Sequence, residues 1–506
     1  MEQKLFDLLF TKEAPDIEKV KELIKTPRID LNFVNANGWT YLQCCCILGH
    51  TQAVELLLNN KHINVNKGIQ GDNLTPFYIA CKNGHIEIVK LLLNDKRVDI
   101  NIAMSEGATP LFISCQNGHR EIVQLLLNDK RLNVNKAIYG ATPFYVACQN
   151  GHIDIVKLLL NDRRVDVNKE RGTGSTAFFI ACQKGHIDIV KLLLSDKRVE
   201  INKTDDDEIT PFYLACKQGH LEIVRLLLSD KRLKINKATS EGSSPFYIAC
   251  CFGHLEIIKL LLRDPRLNVN KAISQGATPF FIACQEGHLE MVKLLVHDER
   301  VEVNKAMNQN ATPFYIACQN GHTEVVKLLL NDMRVDVNLA MLNGITPLYA
   351  ACQNGHIEVT QCLLEDPRID INRADEGGAT SFFTACSFGQ LEIVKLFLIA
   401  NRKIDYMARQ TSEDRNGYEE AKFQSTTPKK DWEETEVETK KRQEGCSKIA
   451  LLLERYEQNE DLVRFLICKE LGILDTISSQ VFSLIVLISD GYYNVSKKRK
   501  WDCIDD

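Results

Sequence analysis

The sequence predicts a mainly helical protein, built as a solenoid of stacked helix–turn–helix units with protruding β-hairpin loops and a helical C-terminal tail. Two observations predict it. The first is a period. Glycine recurs at Gly49, Gly84, Gly118, Gly151, Gly185, Gly219, Gly253, Gly287, Gly321, Gly355 and Gly389, in steps of 35, 34 and 33 residues and then 34 seven times. Ten of these glycines precede His, and Gly389 precedes Gln390. Self-similarity at a fixed period of this size marks a repeat architecture. The second is the order of start, stripe and stop signals inside each period, which is that of two short helices.

The unit Thr312–Asn338 shows that order. Thr312-Pro313 opens a helix, because a hydroxyl caps the free N–H groups and proline needs no donor in the first turn. FYIACQN continues it to Gly321, which tolerates the left-handed conformation that ends a helix. HTEVVKLLLND forms the second helix, with Val325, Val326, Leu329 and Leu330 on one stripe. RVDVNLAMLNG follows as an extended, turn-rich connection.

These residues resemble the ankyrin repeat family. Its T-P-L-H-x-A-A, G-H, I-V-x-x-L-L and D-V-N segments are matched here, in order, by T-P-F-Y-I-A-C, G-H, I-V-K-L-L-L and D-V-N. The resemblance covers residues 38–403 as eleven consecutive units of about 34 residues. Three departures stand out. The family's first-helix His is Tyr, Phe or, at Gln43, Gln, which suggests packing between repeats by rings, with a Tyr hydroxyl still able to bond. The loop NDKRVDVN is one residue longer than usual. The opening proline is absent at Tyr41, Ala177 and Ser381, which predicts looser helix starts there.

The flanks read as caps. Residues 1–37 are expected to form an N-terminal capping half-repeat, with Asp16–Ile24 as its helix. Residues 404–456 are expected to form a degenerate repeat whose second helix is Ser447–Glu457, with a charged, mobile insertion at 411–445 too poor in aliphatic residues to bury a core. Residues 457–506 form the tail, with helices expected at Asp461–Leu471 and Ile477–Ile488.

Composition bounds the function. A net charge of −5 over 506 residues gives no basic footprint, so no nucleic-acid partner is expected. MEQKLFDLLF lacks the features of a secretory leader. The longest apolar run, Val481–Ile488, falls short of the ~20 residues of a membrane helix, so no membrane insertion is expected. The 18 cysteines are read as reduced and intracellular. Eleven of them, Cys46 to Cys386, sit three residues before the ruler glycines. A metal site needs ligands converging at short spacing, and a disulfide needs Cα atoms within ~7 Å, whereas stacked helices lie ~8–10 Å apart. Each is therefore read as a small buried thiol. The Gly-His histidines are read as turn-stabilising residues, and the Asp/Glu–Lys pairs three residues apart, such as Glu87 and Lys90, as a solubilising surface ladder. The Asn that ends each D-V-N is read as bonding the loop backbone. No phosphate-binding loop, zinc-protease, hydrolase or kinase motif occurs, and RGTGST at 171–176 lacks the phosphate-reaching Lys. No enzyme, cofactor or metal is expected.

Ankyrin repeats bind proteins through hairpin tips and the exposed face of the first helix, so the resemblance implies a monomeric, non-catalytic scaffold with protein partners. Specificity must lie where the repeated letters change. Before the ruler glycine most units carry two polar residues, but three carry Ile47-Leu48, Cys251-Phe252 and Ser387-Phe388. Phe252 reads either as a binding anchor or as packing on a neighbouring repeat. Ile47-Leu48 are expected to meet the N-terminal cap, and Ser387-Phe388 the degenerate repeat. The acidic tip Asp205-Asp206-Asp207-Glu208 reads first as a solvated loop and second as a surface for a basic partner. Two alternatives stay open: an adaptor whose tail recruits a second protein such as a ubiquitin-ligase component, and a structural tether. A cytoplasmic location is expected, with KKRK at 497–500 as a weak nuclear signal.

Overall fold

The computed structural model describes residues 2–471 apart from 12, 27, 28, 401, 412 and 428–434. The chain divides into two compact units, Met1–Lys271 and Ala272–Asp506. Both are mainly helical.

The first unit contains eight helix pairs among its described residues, from Glu2–Leu9 with Ile17–Ile24 to Pro245–Cys251 with Leu255–Leu262. First helices pack on first helices and second helices on second helices of the neighbouring pair. The pair Pro143–Gln149 and Ile153–Asn161 shows why. Pro143 to Cys148 are all buried, as in a helix covered on every side. The second helix buries only Ile155, Val156, Leu159 and Leu160 and leaves its other face to water. One face cannot be covered within a single pair, so the next pair covers it.

The helix starts missing proline are capped like the others. Thr176 Oγ1 accepts from the Phe179 N–H at 3.2 Å, and Thr380 Oγ1 from the Phe383 N–H at 3.2 Å, against 3.1 Å at the proline-containing start Thr142–Tyr145. Thr40 adds a reciprocal bond to Gln43. The expected looseness is absent because the hydroxyl cap fixes the first turn without the pyrrolidine ring.

Residues 1–37, expected to hold half a repeat, hold two helices. The first, Glu2–Leu9, escapes the repeat signature because it has no Thr-Pro start, yet it buries Leu5, Phe6 and Leu9. The Tyr41 hydroxyl donates to the Glu2 carbonyl at 2.9 Å. The loops between pairs contain no strand among the described residues. Isolated bridges at Val34–Thr40, Ile138–Ala141 and Ala374–Thr380 are all that remains of the expected β-hairpins, because each turn is too short to extend a ladder.

Among its described residues the second unit holds four similar pairs, from Pro279–Gln285 with Leu289–Val296 to Ser381–Ser387 with Leu391–Ile399, and then Gly417–Gln424, Glu436–Gln458 and Glu460–Glu470. Residues 411–445, expected to be a mobile insertion, thus carry one complete helix and the first turns of a 23-residue helix. Burial here is polar rather than aliphatic, which is why composition missed it. Glu420 Oε1 accepts from Ser387 Oγ at 3.0 Å and from Gln424 Nε2 at 2.8 Å, while its other oxygen accepts from Arg415 Nε at 2.9 Å. The buried Arg442 donates to Gln424 Oε1 at 2.9 Å. Gly445 lies so close that a Cβ there would stand 2.2 Å from the Gly389 carbonyl oxygen. Glu460–Glu470 corresponds to the helix expected at 461–471 and is linked by Glu470 to the buried Lys395 at 2.6 Å. The helix expected at Ile477–Ile488 and the KKRK segment lie outside the described residues.

Candidate interaction surface

Within each compact unit, four hydrogen-bond ladders fix repeats on the ones before them. In the first, the Gly-His imidazole reaches a carbonyl of the preceding repeat: His119 Nε2 lies 2.9 Å from Lys82 O, and His186 Nε2 3.0 Å from Gln149 O. The ring lies over the preceding glycine, where a Cβ on Gly151 would meet His186 Cε1 at 2.8 Å. The histidine therefore joins repeats rather than only stabilising its own turn. The glycine is required twice, by a φ of +79° and by the ring above it.

The second ladder is an Asp-x-Arg pattern that the sequence reading passed over, although it recurs in nine units. Arg164 Nη2 donates to Asp162 Oδ2 at 2.7 Å and to the Leu127 carbonyl of the preceding second helix at 2.7 Å. Arg198 does the same with Asp196 and Leu160. Hydrogen bonds from each guanidinium hold these aspartates below the ordinary carboxyl range. The third ladder confirms the loop role expected of the D-V-N asparagine and extends it to the next repeat: Asn168 Nδ2 donates to Arg198 O at 2.7 Å, and its Oδ1 accepts from Glu200 N at 3.0 Å. The fourth joins the tips, where Gly172 N donates to Tyr139 O at 3.0 Å, Asp206 N to Thr173 O at 3.2 Å and Ser240 N to Asp207 O at 3.2 Å.

The aromatic at the family's histidine position reaches the following hairpin. Tyr213 Oη lies 3.3 Å from Ser243 Oγ, and Tyr145 Oη 3.5 Å from Ser175 Oγ. Gln43 is fully buried and donates to both Lys67 O and Leu74 O, at 2.8 and 2.7 Å.

This packing closes the floor of the first-helix row. In the first unit Ile79, Ile113, Val146, Ile180, Leu214 and Ile248 are all buried. Two edges are left exposed. One is the pair of positions before each ruler glycine. The other is the line of hairpin tips, beyond the opposite end of a helix that is ~12 Å long.

On the first edge, Phe252 is 52 % exposed and stacks on His254 with ring centroids 6.2 Å apart. Lys217 Nζ lies 5.9 Å from the ring centroid. Its neighbour Cys251 is half-buried. Ile47 and Leu48 are half-buried, and the Ile47 carbonyl accepts from Asn83 Nδ2 and His85 Nε2. Ser387 is buried and bonded to Glu420, and Phe388 is half-buried. On the second edge, Asp205 organises its own turn: its Oδ1 accepts from the Ile209 and Asp207 N–H groups at 2.8 and 3.2 Å, and burial raises its carboxyl above the ordinary value. Asp206 and Asp207 are exposed, and Glu208 pairs with Lys237 at 2.6 Å. Phe252, Cys251 and Lys217 thus come together, while the acidic tip lies at the other edge. Sequence reasoning missed two exposed apolar tips, Tyr139 (80 %) and Leu342 (71 %), whose signal is an apolar letter beside the turn glycine or asparagine.

The eleven repeat cysteines are buried, and burial raises thiols such as Cys81 and Cys250 well above their ordinary range. Among the described residues no group of three or more His, Cys, Asp or Glu could hold a metal ion, and no helix is long and apolar enough to cross a membrane.

Comparison with known proteins agrees with this geometry. The family described as Ankyrin repeats (3 copies) matches residues 11–104, 96–171, 129–205, 178–273, 264–341 and 331–410. No curated protein matches the chain. Ankyrin repeats are generally protein–protein interaction modules. With helix pairs, Gly-His turns and tip connections recurring through nearly the whole matched span, the chain belongs to the ankyrin repeat family.

Proposed function

We propose that this chain is a non-catalytic interaction scaffold that holds a protein partner along the first-helix edge and the hairpin tips of its ankyrin repeats. The observation that carries the reading is Phe252. It occupies a position that is Asn, Gln, Lys or Glu in most other units, and it is half exposed, whereas the apolar residues at the equivalent positions, Leu48 and Phe388, are partly covered. A rigid aromatic in a polar row is the composition of a binding hot spot.

A second reading is an adaptor. Leu451 and Leu466, on the last two of the described helices, are 58 % and 50 % exposed and offer a further apolar surface. Affinity capture with the full chain, the Phe252→Ala variant and a Leu451→Asp/Leu466→Asp variant tests both, since both leucines are exposed and can be replaced without opening the core. Loss of one partner with Phe252→Ala supports the scaffold. Loss of a different partner with the Leu451→Asp/Leu466→Asp variant supports the adaptor. Capture that is identical for all three baits refutes both and favours a structural tether.

A further inference from the structure

The two edges of the first unit differ in charge. At the positions before the ruler glycines lie Lys82, Lys184 and Lys217, and no carboxylate occurs at any of these positions in the unit. None of the three lysines has a carboxylate partner among the described residues. The second helices behave differently: Lys90, Lys157, Lys191 and Lys259 each pair with an acid three residues earlier on the same helix. The outer cations are thus neutralised locally, and the inner ones are left for something else. At the tips acids predominate, with Asp72, Glu106, Asp206 and Asp207 exposed and Arg171 as the basic exception.

We propose, resting on the scaffold reading, that the occupant of this face is an extended amphoteric peptide segment. Its carboxylates meet Lys184 and Lys217, its basic side chains meet the acidic tips, and an apolar side chain covers Phe252. An extended chain turns successive side chains to opposite sides, so one segment can present acids to one edge and bases to the other. Lys184 and Lys217 belong to neighbouring repeats, ~10 Å apart by helix packing, which an extended chain spans in about three residues. Lys217 already lies against the Phe252 ring, so an acid and an apolar group fit side by side there. A continuous polyanion such as single-stranded nucleic acid fits poorly, because the acidic tips at Asp72, Glu106 and Asp206-Asp207 would repel it at several points of the opposite edge.

The test is selection of a displayed random decapeptide library on the full chain. The selected peptides are then titrated against wild type, Lys184→Glu/Lys217→Glu and Phe252→Ala, with a 20-nucleotide poly-U strand as the polyanion probe. These three side chains are exposed or half-buried, and circular dichroism confirms folding of the variants. The expected result is a selected set that carries acidic, basic and apolar residues together. Its affinity falls about tenfold in the lysine double variant and recovers when the peptide's acids are exchanged for lysine. Four results overturn the proposal: no enriched peptides, peptides of one charge sign, affinities unchanged in the double variant, or tighter binding of poly-U. Peptides that bind but ignore all three side chains overturn this assignment and leave the scaffold reading standing. If the library and cell-lysate capture both yield nothing, both readings fail.

Discussion

Replacing Gly151 with alanine tests the most repeated feature of the molecule, the glycine–histidine couple. The residue has φ +79°, a conformation that costs a Cβ-bearing residue about 1–2 kcal/mol. The added Cβ would stand 2.8 Å from Cε1 and 3.1 Å from Nδ1 of His186. The imidazole must therefore move, and its 3.0 Å contact with the Gln149 carbonyl is lost at a cost of about 1 kcal/mol. The single variant should lose about 2–3 kcal/mol, as the backbone and ring contributions together. The assay is a double-mutant cycle in urea, followed by circular dichroism at the helix band, with His186→Ala as the second change. Without the ring, Gly151→Ala should cost only the backbone share, so the two substitutions should be sub-additive by about 1 kcal/mol. Strict additivity would refute the claim that the ring, rather than the turn alone, requires glycine.

Acid should weaken the Asp-x-Arg ladder. Asp95, Asp129, Asp162, Asp196, Asp230, Asp264, Asp298, Asp332 and Asp366 are all held below their ordinary pKa by the arginine two residues on. A depressed folded pKa contributes stability above the unfolded value of about 3.9 and loses it as pH falls through the folded value. Stability measured by urea titration should therefore drop below about pH 4, and an Asp162→Asn/Asp196→Asn variant should lose stability at neutral pH and show a shallower acid decline. An unchanged acid profile would count against the ladder. Iodoacetamide applied to the folded protein should label Cys251 and Cys362, which are half-buried, well before the buried repeat thiols, as read by peptide mass spectrometry; early labelling of Cys216 would contradict the packing. Tyr139 sits at φ +47° in a two-residue turn with Gly140, where asparagine is favoured, and its side chain buries little. Tyr139→Asn should raise stability by about 1 kcal/mol in the same urea assay, and a loss would show that the ring makes contacts that outweigh its backbone strain.

The repeat sequence by itself determined the helix pairs. Thr-Pro starts, glycine stops and the Ile-Val-x-x-Leu stripe are local signals, and every helix they marked within the described residues is present. It also determined that the repeat cysteines pack as small groups, since one residue per period cannot converge on a site. What it left open depends on groups brought together from different repeats. Nothing local in Asp-Lys-Arg says that the guanidinium reaches back 38 residues to a helix-end carbonyl, or that a histidine lies over the glycine of the previous turn. Polar burial was equally hidden: Glu420, Gln424 and Arg442 are acceptable inside only because they satisfy one another and Ser387, and composition cannot see that pairing. The same holds for the surface. The letters named Phe252 and the acidic tip, but only the tertiary structure showed Phe252 exposed beside Lys217, Ser387 buried against Glu420, and Asp205 bound into its own turn. Periodicity fixes the elements because helix formation is local, whereas exposure and partnership are set by what the neighbouring repeat covers.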